Sequence, residues 1–254
     1  MDRTNETAAT GAAGIDPRHD GTPARDHTWD LVAAVAGLVF FVLVVASFFT
    51  PGTPMADEGG AAIAADVAAD RTGHQWSLLL GFLGDVAFLL FLSGLWSRLR
   101  RAEGRAGLFS AVVAIAGAVF VATILVSEGL YLALVTGTAE IAEDPAVFTT
   151  LAVLNDWVGF AGVPAAAALF LGAAAAIVGT RALPRWIGWW AAVVSVLLLV
   201  SLGGVFQADI DEAGLGWAAF PAFVLMMLWV LTTSILLLLR ARRPAAAPQE
   251  VTSG

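Results

Sequence analysis

The sequence predicts an all-α protein, a polytopic transmembrane bundle of six helices with both termini in the cytoplasm. Three observations carry that expectation. Of 254 residues, 59% are hydrophobic and only 13% charged, whereas soluble domains carry about 45–50% apolar and about 25% charged residues. Six continuous apolar stretches are long enough to cross a bilayer, which takes about 20 residues in a helix. The arginines fall almost entirely on one side of those stretches.

The apolar cores are 31–49, 76–95, 108–126 with an extension to 135, 151–178, 187–206 and 217–239. With their flanks, the expected helices cover 29–50, 75–98, 107–136, 145–179, 185–207 and 216–240. Residues 1–28 and 241–254 read as cytoplasmic tails without stable structure, because they are polar and nearly free of large apolar side chains. The runs are continuously apolar rather than alternating, which argues against an outer-membrane barrel. The first span is expected to be a permanent helix. About thirty polar residues precede it, its core exceeds a signal peptide's usual ~7–15 residues, and Pro51-Gly52 follows in place of a small-x-small site.

Orientation follows from charge. All thirteen basic residues are arginine. Arg3, Arg18 and Arg25 precede the first helix. Arg98, Arg100, Arg101 and Arg105 follow the second, Arg181 and Arg185 follow the fourth, and Arg240, Arg242 and Arg243 follow the sixth. Six crossings put these on one face and leave only Arg71 on the other. Cationic loops are retained inside the cell, so this face is expected to be cytoplasmic and the protein to reside in the cell membrane. The opposite loops are acidic, with Asp57, Glu58, Asp66, Asp70, Glu140, Glu143, Asp144, Asp209, Asp211 and Glu212. Trp29, Trp76, Trp96, Trp186, Trp189, Trp190 and Trp217 lie near span ends, where an indole favours the headgroup region.

Local signals refine the elements. Asp144-Pro145 reads as an N-cap followed by proline in the first turn, and Pro184 opens the fifth helix. Pro164 falls inside the fourth and is expected to kink it, since it removes a backbone donor and crowds the preceding turn. Ala111, Ala114, Ala118 and Ala122 on helix three, with Ala161, Ala165, Ala168, Gly172 and Ala176 on helix four, suggest close packing of those two helices through small residues. The 51–75 segment reads first as a solvated connector. The alternative is a short surface helix over Ala61–Asp70 that caps the outer face.

Polar side chains at membrane depth are the candidate functional residues, because an ionisable group in hydrocarbon is costly and usually faces the bundle interior. Asp85 lies nine residues inward from Trp76, roughly 13 Å along a helix and near the midplane. Asp156 lies shallower, and Glu128 near the outer boundary. Asn155, Tyr131, Ser127 and His74 share that outer level. His74 and Asp85 are eleven residues apart, three helical turns, and so lie on one face. Together Asp85, Asp156, Asn155, Glu128, Tyr131 and His74 suggest an outer-facing polar vestibule, with Asp85 at its floor.

Other chemistries find little footing. The absence of cysteine removes disulfides, thiolate metal sites and cysteine nucleophiles. Haem ligation by paired histidines lacks histidines deep in the spans. A zinc site needs several clustered donors, and His74 and Asp85 are separated by about 16 Å of helix. Serine hydrolysis lacks a nucleophile–base pair, and no phosphate-binding glycine motif is present. No cofactor and no nucleic-acid partner is expected, the partner being the lipid bilayer, and an enzyme is less expected than a structural or regulatory protein. A transporter or channel for protons, cations or a small solute is the second reading, and an intramembrane enzyme the third.

The segment Leu183-Pro184-Arg185-Trp186-Ile187-Gly188-Trp189-Trp190, the arginine-flanked loop after helix two and the Gly/Ala-rich helices resemble multi-helix membrane proteins of the domain-of-unknown-function type common in high-GC bacteria. The resemblance covers roughly 31–239 in general pattern. It implies a membrane bundle and no activity or site residue.

Overall fold

The structure, a computed structural model, describes residues 23–137, 144–206 and 215–241. The protein is all-helical, with 89% helix and no strand among the described residues. In chain order the helices are α1 (Pro23–Ser47), α2 (Gly60–Ala69), α3 (Arg71–Glu103), α4 (Leu108–Thr136), α5 (Pro145–Ala161), α6 (Val163–Thr180), α7 (Arg185–Ser201) and α8 (Ala219–Ala241). Short 3-10 turns cover Ala56–Glu58, Leu202–Phe206 and Leu215–Ala218. Among the described residues, six helical segments are long and apolar enough to cross a membrane, α5 and α6 acting together as one.

Several boundaries differ from the sequence reading. α1 begins at Pro23, inside the stretch expected to be tail, since proline's fixed φ suits a first helical turn. α3 runs past its apolar core at both ends. At its start the Asp70 side chain accepts a hydrogen bond from the Gly73 N–H at 2.9 Å, which satisfies a donor that the helix itself leaves open. The start of α4 is capped from outside itself: Glu103 Oε2 accepts from the Ser110 N–H at 3.0 Å and from its hydroxyl at 2.9 Å. Asp144 caps α5 as expected, accepting from the Ala146 N–H at 3.0 Å. The expected kink at Pro164 is a break. The helix stops at Ala161 and restarts at Val163, with Pro164 in the first turn of α6, where its missing N–H costs nothing.

The spans form a closed ring in the order α1, α3, α4, α5/α6, α7, α8 and back to α1. Its core is aromatic. Trp229 is fully buried, meets Phe91 and Phe170 edge-on at 6.3 and 5.2 Å between ring centres, and donates its indole N–H to the Ile187 carbonyl at 2.9 Å. α3, α6, α7 and α8 are therefore fixed to one side chain.

α4 and α6 do pack together, but not through the alanine stripe read from sequence. Ala118 and Ala122 are exposed, and Val113, Ala116, Gly117 and Val121 are buried instead. At Gly117 a Cβ would come within 2.8 Å of a Leu92 methyl and 2.9 Å of a Leu169 methyl. Gly117 admits two leucines, and on α6 the expected small residue Gly172 does lie against α4, where a Cβ would come within 3.0 Å of a Val112 methyl and 3.1 Å of the Phe109 carbonyl oxygen; the α4 alanines do not set the approach.

At one end of the ring, Arg98 pairs with Asp30 at 2.5 Å, and Arg101 lies 3.7 Å from the same carboxylate. Arg98 and Arg240 both donate to the Ala182 carbonyl, at 3.3 and 2.8 Å. Arginines that follow the second and sixth spans thus meet at one end of the bundle, the arginine-bearing face. At the opposite end α2 lies over α3, α4 and α5. Ile63 and Val67 bury themselves among Leu78, Tyr131, Leu134, Val135, Phe148 and Ala152. Burial of one such aliphatic side chain contributes about 1.5–3 kcal/mol. Gly60 allows the approach, since a Cβ there would fall 1.7 Å from the Pro145 carbonyl oxygen. The 51–75 segment is therefore a packed lid, not only a solvated connector.

Candidate functional site

Beneath α2 a file of polar groups descends between α3 and α4. The uppermost is His74, in the first turn of α3 and fully buried. Its Nδ1 lies 2.6 Å from the Tyr131 hydroxyl. Its Nε2 lies 3.3 Å from Asp66 Oδ2 on the lid, close enough for an ionic contact but not aligned for a hydrogen bond. The Asp66 side chain is 57% exposed, so a buried imidazole joins a solvent-facing carboxylate to a buried phenol. With a carboxylate opposite Nε2, the favoured neutral tautomer carries its proton there and leaves Nδ1 to accept from Tyr131. The Gly52 carbonyl, 3.3 Å from the phenol, is a competing acceptor for its one O–H, and Ser77 borders the phenol from one turn down α3.

The next layer holds Glu128, three residues from Tyr131 and so on the same face of α4. Glu128 leans onto α3 at Gly81, where its Oε1 lies 2.2 Å from the position a Cβ would take. A side chain at position 81 would have to displace the Glu128 carboxyl from this place. Four residues further along that face lies Asp85, only 8% exposed. Because Gly81 and Asp85 are four residues apart on α3, the Glu128 carboxyl lies about one helical turn from Asp85. One oxygen of each, Asp85 Oδ2 and Glu128 Oε2, is buried without a hydrogen-bond partner. No lysine or arginine occurs between Arg71 and Arg98 on α3, or anywhere in α4, α5 or α6.

A third group lies beside this file. The Ser127 hydroxyl meets Asn155 Oδ1 at 2.8 Å and the Asn155 carbonyl at 3.0 Å. It ties α4 to α5, and Asn155 is buried. Asp156 is half-buried next to it.

Of the six residues singled out from sequence, His74 and Tyr131 are in direct contact, and the Glu128 carboxyl sits against α3 at Gly81, one helical turn from Asp85. Asn155 is joined to Ser127. Asp66, Ser77 and Gly81 escaped notice. Gly81 left a trace, a glycine one helical turn before the midplane carboxylate. Asp66 left none, because only the docking of α2 brings it to His74. Among the described residues no three His, Asp or Glu side chains converge in metal-ligating geometry. Below Asp85 the α3 face turns apolar at Phe88, Phe91, Leu92 and Leu95, all buried in the core.

No protein family, no curated protein and no solved structure matches the chain. Residue roles therefore rest on geometry alone.

Proposed function

We propose that the protein is a small proton-translocating transporter of the cell membrane, with both termini cytoplasmic and Asp85 and Glu128 as its proton-binding pair. The orientation rests on the distribution of arginine. The function rests on one observation, two carboxyl groups within one helical turn of each other along α3, each with a buried, unpartnered oxygen and with no arginine or lysine at their depth. Two adjacent carboxylates in a low-dielectric interior repel one another and lose their hydration, so a shared proton relieves both costs. Asp66, His74 and Tyr131 form the loading path from the acidic face, where imidazole takes a proton at one nitrogen and releases one at the other. The apolar packing below Asp85 closes the path toward the arginine-bearing face. Release there requires helix movement, which favours an alternating transporter over an open channel.

The test is proton flux into proteoliposomes under an imposed pH gradient. Wild type is expected to carry protons, with flux lost in Asp85→Asn and Glu128→Gln while both variants purify as folded protein. Flux retained in both would remove the pair from the mechanism. Variants that lose stability, with no flux in the wild type, would instead support a structural role for these contacts.

A further inference from the structure

The other face of α3 borders an apolar groove of about 600 Å³ opened toward lipid between α1 and α3. Its α1 wall runs from Leu31 through Val35 and Val39 to Leu43, and its α3 wall includes Leu83, Val86 and Leu90. A smaller recess of about 160 Å³ continues it toward the arginine-bearing face, sharing Val32 and Leu90 and adding Trp29, Ser93 and Ser97. The lining is hydrocarbon along the groove and turns polar only at this end. There Arg101 donates to the Ser97 hydroxyl at 2.9 Å. Its side chain is 40% exposed, and it stands beside the Asp30–Arg98 pair.

We infer that this groove is a binding site for one anionic phospholipid of the leaflet on the arginine-bearing side, its phosphate at Arg101 and Ser97 and an acyl chain along α1 and α3. Length supports this occupant. The twelve residue steps from Leu31 to Leu43 span about 18 Å of helix, a little more than half of a ~30 Å hydrocarbon core. The walls stay apolar along that length, which suits a chain of methylenes that make contact at about 4 Å. Charge supplies the headgroup preference, because a guanidinium presents a fork of donors that matches phosphate oxygens, and basic pockets at helix ends select anionic lipids.

The experiment incubates the intact detergent-solubilised protein with an equimolar mixture of phosphatidylglycerol and phosphatidylcholine, then reads retained lipid by native mass spectrometry. The inference expects one phosphatidylglycerol retained several-fold over phosphatidylcholine. Arg101→Gln is expected to erase that preference. Val35→Trp, which fills the groove from an exposed position, is expected to remove the retained lipid altogether while the melting temperature holds. Equal retention of both lipids by wild type, or unchanged retention in both variants, would overturn the site. A second copy of the chain lost on Val35→Trp would overturn it in favour of a dimer interface.

Discussion

Glu128 on α4 occupies the space that a side chain at position 81 on α3 would need, with its Oε1 only 2.2 Å from the missing Cβ. The two residues form a single feature, a carboxyl group seated on bare backbone one turn of α3 from Asp85. Gly81→Ala should therefore act through Glu128. Overpacking of this kind typically costs about 1–3 kcal/mol, and the displaced carboxyl should also abolish proton flux. Removing the obstruction by Glu128→Ala in the same chain should restore most of the lost thermal stability but none of the flux. Failure of the second substitution to rescue stability would show that position 81 is small for another reason.

His74 and Tyr131 form the buried contact at the top of the file. Tyr131→Phe leaves the imidazole Nδ1 without its partner, and an orphaned buried polar group costs about 1–3 kcal/mol. Thermal melting in detergent should fall accordingly. Proton loading should slow while the carboxyl pair stays intact, so flux declines without vanishing. Flux equal to that of wild type would take the tyrosine out of the loading path.

The lid makes its own prediction. Ile63 is fully buried beneath α2, and Ile63→Ser should cost about 2–4 kcal/mol of local docking free energy, by analogy with other large-to-small core changes. Hydrogen exchange across Gly60–Ala69 should rise, and His74 should become reactive to an imidazole-modifying reagent that leaves the wild type untouched. An unreactive His74 in that variant would mean that α3 and α4 bury it without the lid.

Most of the fold was legible in the sequence, because bilayer thickness sets span length and arginine marks alternate ends. The meeting of Arg98 and Arg240 at the Ala182 carbonyl is what that alternation requires. Pairing of the spans was less legible. Lipid makes every apolar face acceptable, so the alanine spacing on α4 held no directional information, and the packing at Gly117 depends on leucines from two other helices. The site divides in the same way. Asp85 stood out as an ionisable group in an apolar run. The eleven-residue spacing from His74 to Asp85 was readable as one helix face, but the three-dimensional step from Asp66 to His74 was not, since it crosses from a loop helix to a span. Glu128 read as interfacial from its depth, and only its lean onto Gly81 brings its carboxyl to within one turn of Asp85 on α3.

Trp229 offers a control outside the site. Its indole donates to Ile187 at the centre of the ring, so Trp229→Phe should lose that hydrogen bond and part of the packing. A cost of about 1–3 kcal/mol is expected, with proton flux per folded molecule unchanged. Loss of flux in the folded fraction would tie the core to the transport step.

The central claim is that Asp85 and Glu128 share a proton. Infrared spectroscopy of the reconstituted protein at neutral pH tests it most directly through the carbonyl stretch of a protonated carboxyl group in an apolar setting. The account predicts such a band in wild type, sensitive to hydrogen–deuterium exchange and altered by both Asp85→Asn and Glu128→Gln. A spectrum with no protonated carboxyl band, or one that neither substitution changes, would contradict it.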